Sequence, residues 1–154
     1  MQGPEQESIR IATDVNVQMA FACENFSTDP MQRVTFHNVI EVMNAPAFPI
    51  QTSLIYVVFG FQRNVPGFLI QCKIEIIPPA GEPVASQSLQ DLAFRPDQMV
   101  QRAIVGFQGT VWPIPGQYTV RFTSRGQSIA SFFLPVVQVQ PPAQPGAPPP
   151  QPGR

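Results

Sequence analysis

The strongest constraint in this sequence is an uninterrupted alternation of polar and apolar residues. Residues 117–123 alternate at every position, and so do residues 70–76. Residues 15–23 repeat the pattern through Val15, Val17, Met19, Phe21 and Cys23. Alternate side chains of an extended strand point to opposite faces of a sheet, whereas a helix needs apolar residues every three or four positions. The three segments therefore predict β-strands that each bury one face.

Other segments rich in β-branched and aromatic residues lie between clusters of proline, glycine and asparagine. They predict strands at residues 34–42, 54–62, 102–112 and 127–136, with a weaker strand at 84–94. Only 12% of the residues are charged, about half of the ~25% usual for globular domains, which disfavours water-facing helices. We therefore predict an all-β fold, a two-sheet antiparallel β-sandwich of seven or eight strands. A short helical turn fits near residues 96–98.

The chain divides into three parts. Residues 1–14 form a polar arm, residues 15–138 the β-sandwich domain, and residues 139–154 a proline-rich tail that we expect to be disordered. The tail fits a spacer better than a ligand for a groove that binds polyproline II helices. No secretory pattern and no apolar run near ~20 residues occurs, so a cytoplasmic location without a membrane contact is expected.

Residue types that carry catalysis or bind metals are few. The single histidine, His37, is predicted to be a surface residue, and no pair of Cys or His residues has the spacing of a zinc site. Cys23 and Cys72 fall on the predicted inward faces of their strands. We expect both to be buried free thiols; the alternative is a disulfide between them, which would need an oxidising compartment. The net charge is −1 and no basic run occurs, which argues against nucleic acid. No enzyme activity and no cofactor are predicted.

Two surfaces are candidates for binding. Residues 54–61 are apolar on both faces of their strand. One face enters the core, so the other face must be covered by another part of the chain or by a partner. The two faces are Leu54, Tyr56 and Val58 on one side and Ile55, Val57, Phe59 and Phe61 on the other. The alternatives are an intramolecular cover, a homo-oligomer interface and a protein-partner interface. Trp112 and Phe107 could form a platform for a carbohydrate or small ligand, or simply fill the core.

Several segments resemble a family of small, uncharacterised bacterial domains with a predicted immunoglobulin-like β-sandwich fold. The resemblance covers roughly residues 17–137, and its most specific part is the Ala-Pro-x-Phe-Pro element at residues 45–49. A Trp-Pro-x-Pro-Gly-x-Tyr segment at residues 112–118 and the closing strand to residue 137 add to it. The resemblance implies the fold but no activity. We therefore expect a non-catalytic interaction or scaffolding module, with carbohydrate or small-ligand binding as the alternative.

Overall fold

The computed structural model describes residues 15–140, and every regular element in this range is a β-strand. The all-β prediction is therefore confirmed for this part of the chain. In chain order the strands are β1 (Val15–Thr28), β2 (Val34–Ile40), β3 (Met43–Ala45), β4 (Ile50–Gln51), β5 (Leu54–Arg63), β6 (Gly67–Leu69), β7 (Cys72–Ile77), β8 (Ala85–Ser88), β9 (Leu92–Phe94), β10 (Val100–Gln108), β11 (Val111–Trp112), β12 (Gly116–Ser124) and β13 (Gln127–Gln138). The predicted polar arm at residues 1–14 and the tail from residue 141 lie outside the described residues.

Most of the strands belong to two larger sheets. One has the order β10-β5-β1-β2, and the other has the order β3-β13-β12-β7-β8. All pairings in these sheets are antiparallel except that of β3 with β13. Two short ribbons, β4 with β11 and β6 with β9, lie beside them. The described range thus contains thirteen strand segments where seven or eight strands were predicted.

Both larger sheets contribute side chains to one core. The rings of Phe59 and Phe61 on β5 approach the ring of Phe122 on β12, with centroids 5.5 and 4.8 Å apart. The predicted inward residues of β12 are fully buried, as are Ile74 and Ile76 of β7. Burying each such side chain contributes about 1.5–3 kcal/mol. The two alternating patterns at residues 70–76 and 117–123 therefore identified core strands correctly.

A tyrosine near the start of β12 fixes the turn that leads into this strand. The Tyr118 hydroxyl donates a hydrogen bond of 2.7 Å to the carbonyl of Ile114, four residues earlier. Its ring meets that of Trp112 edge-on, with the centroids 5.0 Å apart. Burial raises the pKa of this hydroxyl, so it remains a donor. A tyrosine corner of this kind is a recurrent feature of immunoglobulin-like sandwiches.

The third alternating pattern, at residues 15–23, is interrupted by a β-bulge. The pairing of β1 with β5 shifts register between Val17 and Met19. One extra residue reverses the faces of every later side chain. Cys23 therefore shares the outer face with Tyr56, its partner across the strands, and the prediction that Cys23 points into the core is wrong. Ala20 and Ala22 occupy the inward positions instead.

Other expectations also need correction. Residues 84–94 form two strands, β8 and β9, that pair with different neighbours. Residues 95–98 form a hydrogen-bonded turn, not a helical one, with Gln98 donating its N–H to the carbonyl of Arg95 at 2.8 Å. Val139 donates its N–H to the carbonyl of Ala45 at 2.9 Å. This hydrogen bond continues the pairing of β13 with β3 to residue 139.

The alternation at residues 70–76 predicts that Glu75 faces water with Gln71 and Lys73, but only 7% of the surface of Glu75 is exposed. Lys73 Nζ lies 2.7 Å from one carboxylate oxygen, and Arg121 Nη2 lies 3.3 Å from the other. The hydrogen bond from Lys73 and the positive charges of both neighbours hold the pKa of Glu75 below its ordinary value. The two long cationic side chains thus cover the carboxylate on the outer face of the five-stranded sheet.

Candidate functional site

Strand β5 lies in the middle of its sheet, between β1 and β10. Its residues Ile55, Val57, Phe59 and Phe61 belong to the core. The other predicted set, Leu54, Tyr56 and Val58, therefore faces outward from the four-stranded sheet. This outer face carries further apolar side chains from the neighbouring strands, because Phe21 of β1 and Ile104 of β10 pair with Val58 from either side.

The hairpin of β1 and β2 folds back over this outer face. Phe36 pairs across the hairpin with Phe26, yet its ring lies 4.9 Å from that of Phe21. Positions 21 and 26 of a straight strand would be about 16 Å apart, so the hairpin must bend. Phe26 makes a matching edge-on contact with Tyr56, also at 4.9 Å. We call residues 24–38 the hairpin tip.

The bend coincides with Asn38, whose φ of 54° lies in the left-handed region. Asparagine adopts this region more readily than most residues because its side chain can form local hydrogen bonds. Here Asn38 Nδ2 donates to Glu24 Oε2 at 2.9 Å across the hairpin. Beyond Cys23, β1 pairs only with β2 and no longer with β5.

The hairpin tip explains how the outer face is covered. Val58 and Cys23 lie on that face, yet neither is exposed to solvent. Tyr56 is half-buried under Phe26, whereas Leu54 keeps 39% of its surface exposed. Of the three predicted interface residues, only Leu54 is therefore well placed to touch a partner.

A groove of about 680 Å³ opens beside Leu54. It forms because β1 leaves β5 at Tyr56, so Leu54 and Ile55 have no β1 partner on that side. We call this space the Leu54 groove. Its lining is Glu24, Asn38, Val39, Ile40, Val42, Met43, Asn44, Ile50, Thr52, Ser53, Leu54 and Ile55.

The Leu54 groove combines exposed aliphatic groups with polar ones. Val39, Val42 and Leu54 are 51%, 44% and 39% exposed. The Glu24 carboxylate and the amides of Asn38 and Asn44 add hydrogen-bonding capacity on exposed residues. Apart from Leu54, these residues were not singled out by the sequence. Periodicity could not have identified them, because the groove exists only where the bent hairpin separates from β5.

The predicted platform of Trp112 and Phe107 lies in the core, with both residues buried. As placed, neither ring has a face free to stack on a sugar, which favours the alternative that both residues fill the core. Trp112 Nε1 donates to Thr52 Oγ1 at 3.0 Å, and Thr52 lines the Leu54 groove. Trp112 thus supports the wall of the groove from behind.

His37 is exposed on β2, as predicted, and its Nε2 lies 3.0 Å from Ser27 Oγ. A serine beside a histidine suggests a nucleophile and its base, but such a pair also needs a group that orients the histidine and a site for the substrate. Neither residue lines the Leu54 groove, and the hydrogen bonds formed within residues 15–140 include no carboxylate on His37. Among the described residues, the pair is therefore a single hydrogen bond at the surface.

The two cysteines are buried free thiols. Cys72 belongs to the core, whereas Cys23 lies on the outer face of the four-stranded sheet. A disulfide would therefore have to cross the sheet. Burial, followed by the charge of Asp91, raises the pKa of Cys72 to about 11, so the thiol is protonated at neutral pH. Within residues 15–140, no three His, Cys, Asp or Glu side chains converge as metal ligands would, and no helix could span a membrane.

Comparisons with known proteins bear on the fold alone. No protein-family model and no curated protein matches the sequence. Among solved structures, an immunoglobulin-like protein of Pseudomonas aeruginosa matches 82% of this chain and 98% of its own, with 8% identity and a TM-score of 0.38. The alignment with an alkylpurine DNA glycosylase of Pseudomonas fluorescens covers 80% of this chain, with 13% identity and a TM-score of 0.47. The alignment with a β-glucosidase of Listeria innocua covers 82% of this chain, with 10% identity and a TM-score of 0.40. This chain spans only 30% of the glycosylase and 16% of the glucosidase.

Proposed function

We propose that this domain is a non-catalytic protein-interaction module that binds an extended segment of a partner protein in the Leu54 groove. The observation that carries the proposal is the convergence of Val39, Val42 and Leu54, all exposed, on one concave site. Single exposed apolar side chains are common on soluble proteins, whereas several in one groove are typical of docking sites. The scaffold we propose is a two-sheet immunoglobulin-like β-sandwich, supported by the Tyr118 corner and the ring contacts between the sheets.

The lining of the groove suggests the chemistry of the partner. Apolar side chains of the partner would cover the aliphatic residues, and a Lys or Arg would meet the exposed Glu24 carboxylate. Strand β2, which supplies Asn38 and Val39, has no neighbour on its outer side among the described strands. Such an edge can pair with an added strand. An extended segment with apolar anchors and a basic residue therefore fits the site best.

Panning a library of random peptides on the immobilised domain tests this proposal. We expect enriched peptides to combine apolar and basic residues, and to lose binding on the double variant V39E/L54E. The matched control is F133E, which places the same charge at an exposed apolar residue of the other large sheet. Peptides that bind all three proteins equally, or no enrichment at all, would contradict the proposal. Circular dichroism checks that each variant is folded.

A second copy of the chain is one source of such a segment. Light scattering over a range of concentrations distinguishes this case, since a dimer formed through the groove would dissociate in L54E but not in F133E. A cytoplasmic location is part of the proposal, because buried free thiols that cannot pair suit a reducing compartment.

The alternative function is binding of a carbohydrate or small polar ligand in the same groove. It is favoured by the polar groups Glu24, Asn38, Asn44, Thr52 and Ser53 in the lining. The lining offers no aromatic ring on which a sugar could stack, which is why we rank this function second. Glycan-array binding that is lost in N38A/N44A but kept in V39E/L54E would favour it over the peptide.

A further inference from the structure

One outer strand of the four-stranded sheet, β10, is a long open edge. It pairs with β5 along all nine of its residues without a register shift, and no other strand among residues 15–140 pairs with it. The remaining edge strands of the two larger sheets, β2, β8 and β3, have seven, four and three residues. β10 is therefore the longest open strand edge in the described part of the domain.

The hydrogen bonds at the two ends of the β5–β10 pairing show which backbone groups face this edge. The Arg63 N–H donates to the carbonyl of Met99 at 3.0 Å, and the Gly109 N–H donates to that of Ser53 at 2.9 Å. Hydrogen-bonded and non-hydrogen-bonded pairs alternate along an antiparallel ladder, so the odd-numbered residues of β10 bond to β5. The even-numbered residues of β10 therefore direct their N–H and C=O groups to the open edge.

The β10 edge lacks the features by which natural proteins protect such strands. Prolines, bulges and charged side chains normally keep a long edge from pairing with another molecule. β10 has no proline, no bulge in its pairing with β5, and one charged residue, Arg102. Within residues 15–140, the outward-directed backbone groups of Arg102, Ile104 and Gly106 have no backbone partner. The edge can therefore accept a strand from another molecule.

The sequence of β10 fits a second copy of itself. If two β10 strands run antiparallel about a twofold axis at Ile104, all nine residues of each strand overlap. In this register the two Ile104 side chains are neighbours, and Arg102 lies opposite Gly106 of the other copy. Like charges directly opposite each other destabilise a strand pair, and this register separates the two arginines. The net charge of −1 adds little repulsion between copies.

Apolar surface reaches β10 from the neighbouring strand. A Cβ at position 106 would lie 3.1 Å from Leu54 Cδ1 and 3.3 Å from Tyr56 Cε1, so these two side chains extend over Gly106. Leu54 keeps 39% of its surface exposed. Arg102 of a second copy, placed opposite Gly106, would lay its aliphatic stem on this surface while its guanidinium stays in water. A second copy thus supplies both a pairing strand and an apolar cover.

We propose that the domain forms a homodimer in which two β10 edges pair about a twofold axis at Ile104. The two four-stranded sheets then join into one continuous sheet of eight strands, with backbone hydrogen bonds supplied by the even-numbered residues. This surface is separate from the Leu54 groove, because no residue of β10 lines that groove. An interface of two strands is small beside the ~1,600 Å² of a standard one, so we expect a weak dimer that forms at high concentration.

Sedimentation velocity of the full chain at concentrations up to about 1 mM tests the pairing. The wild type should change from monomer to dimer, whereas I104K and I104E should each stay monomeric because like charges would meet at the axis. An equal mixture of the two variants should dimerise again, since Lys then meets Glu. The control F133K, at an exposed residue of the other large sheet, should behave like the wild type. A monomeric wild type, a mixture that stays monomeric, or a dimer that persists in I104K, as one formed through the Leu54 groove would, overturns the proposal.

Amide hydrogen exchange gives a second readout that needs no substitution. The N–H groups of Arg102, Ile104 and Gly106 should exchange fast in the monomer, and about tenfold more slowly once about nine in ten molecules are dimeric. The N–H groups of Ala103 and Val105 bond to β5 and serve as internal controls that stay protected at every concentration. Rates at the three edge amides that do not change with concentration, whether fast or already slowed by a cover within the chain, overturn the proposal. If I104K fails to fold, hydrogen exchange alone decides.

Discussion

The rings of Phe21 and Phe36 meet edge-on with their centroids 4.9 Å apart, although the residue opposite Phe36 in the β1–β2 pairing is Phe26 and not Phe21. This contact shows that the β1–β2 hairpin bends back onto its own sheet. The bent hairpin divides the apolar outer face of the sheet into a covered part and an exposed part. Val58 and Cys23 are covered by the chain itself, whereas Leu54 and Val39 are left exposed to solvent at the Leu54 groove.

Shortening Phe36 to alanine should loosen the hairpin tip and expose Cys23. Burial raises the pKa of the Cys23 thiol, so native Cys23 should react slowly with a thiol reagent such as Ellman's reagent. In F36A the rate at which Cys23 is labelled should rise. The rise should be about tenfold for each 1.4 kcal/mol by which the substitution lowers the free energy of opening the hairpin tip. The variant F36A/C23S reports Cys72 alone and should stay slow. Equal acceleration of both thiols would instead indicate global unfolding.

The Tyr118 corner should contribute measurably to stability. Y118F removes the hydroxyl that donates to Ile114 and leaves the carbonyl of this residue without its Tyr118 partner. We expect a loss of about 1–2 kcal/mol in the free energy of unfolding. Y56F is the matched control, because the Tyr56 ring is half-buried and packs on Phe26. Urea denaturation of both variants makes the comparison, and an equal loss in the two would rule out a special role for the corner.

The sequence was informative where strands are regular. Unbroken alternation at residues 117–123 correctly placed Tyr118, Val120 and Phe122 in the core, because no bulge interrupts β12 before Phe122. The same reasoning failed at residues 15–23. The alternation there continues through Met19 and Cys23 in sequence, but the bulge after Val17 reverses the faces in space. A bulge depends on pairing with another strand, and one strand's pattern does not reveal it.

The Leu54 groove was beyond the reach of the sequence for a related reason. Residues 54–61, apolar on both faces, form a strand in the middle of its sheet, and Leu54 stays a predicted contact residue. The sequence did not show that Phe26 and Phe36 cover the outer face near Tyr56 and leave Leu54 uncovered. Their partners lie on other strands, and such long-range contacts have no local period.

Glu75 should make the stability of the domain sensitive to acid. Its pKa is lowered in the folded state from an ordinary value of 4.5, so its contribution is complete above the unfolded pKa. That contribution is lost as the pH falls through the folded pKa. E75Q should therefore be less stable than the wild type at neutral pH, by about 1 kcal/mol or less because Lys73 and Arg121 are partly hydrated.

Melting temperatures measured between about pH 3 and pH 7 test this expectation. The difference between wild type and E75Q should narrow toward the acid end of the range. The control is E82Q, which removes an exposed carboxylate from the turn after Gly81. A difference that stays constant with pH would mean that E75Q acts through packing and not through the charge of Glu75.

The burial of Trp112 can be measured directly, because it is the only tryptophan of the chain. Its ring is fully buried against Tyr118 and its Nε1 donates to Thr52. We expect iodide to quench its fluorescence only after unfolding in guanidinium. In T52V the indole N–H would lose its acceptor, and the domain should lose about 1–2 kcal/mol of stability. The ring should nevertheless remain shielded, since aromatic packing and not this bond excludes water from it. Quenching by iodide in the native state would instead place Trp112 at the surface and restore it as a candidate for ligand stacking.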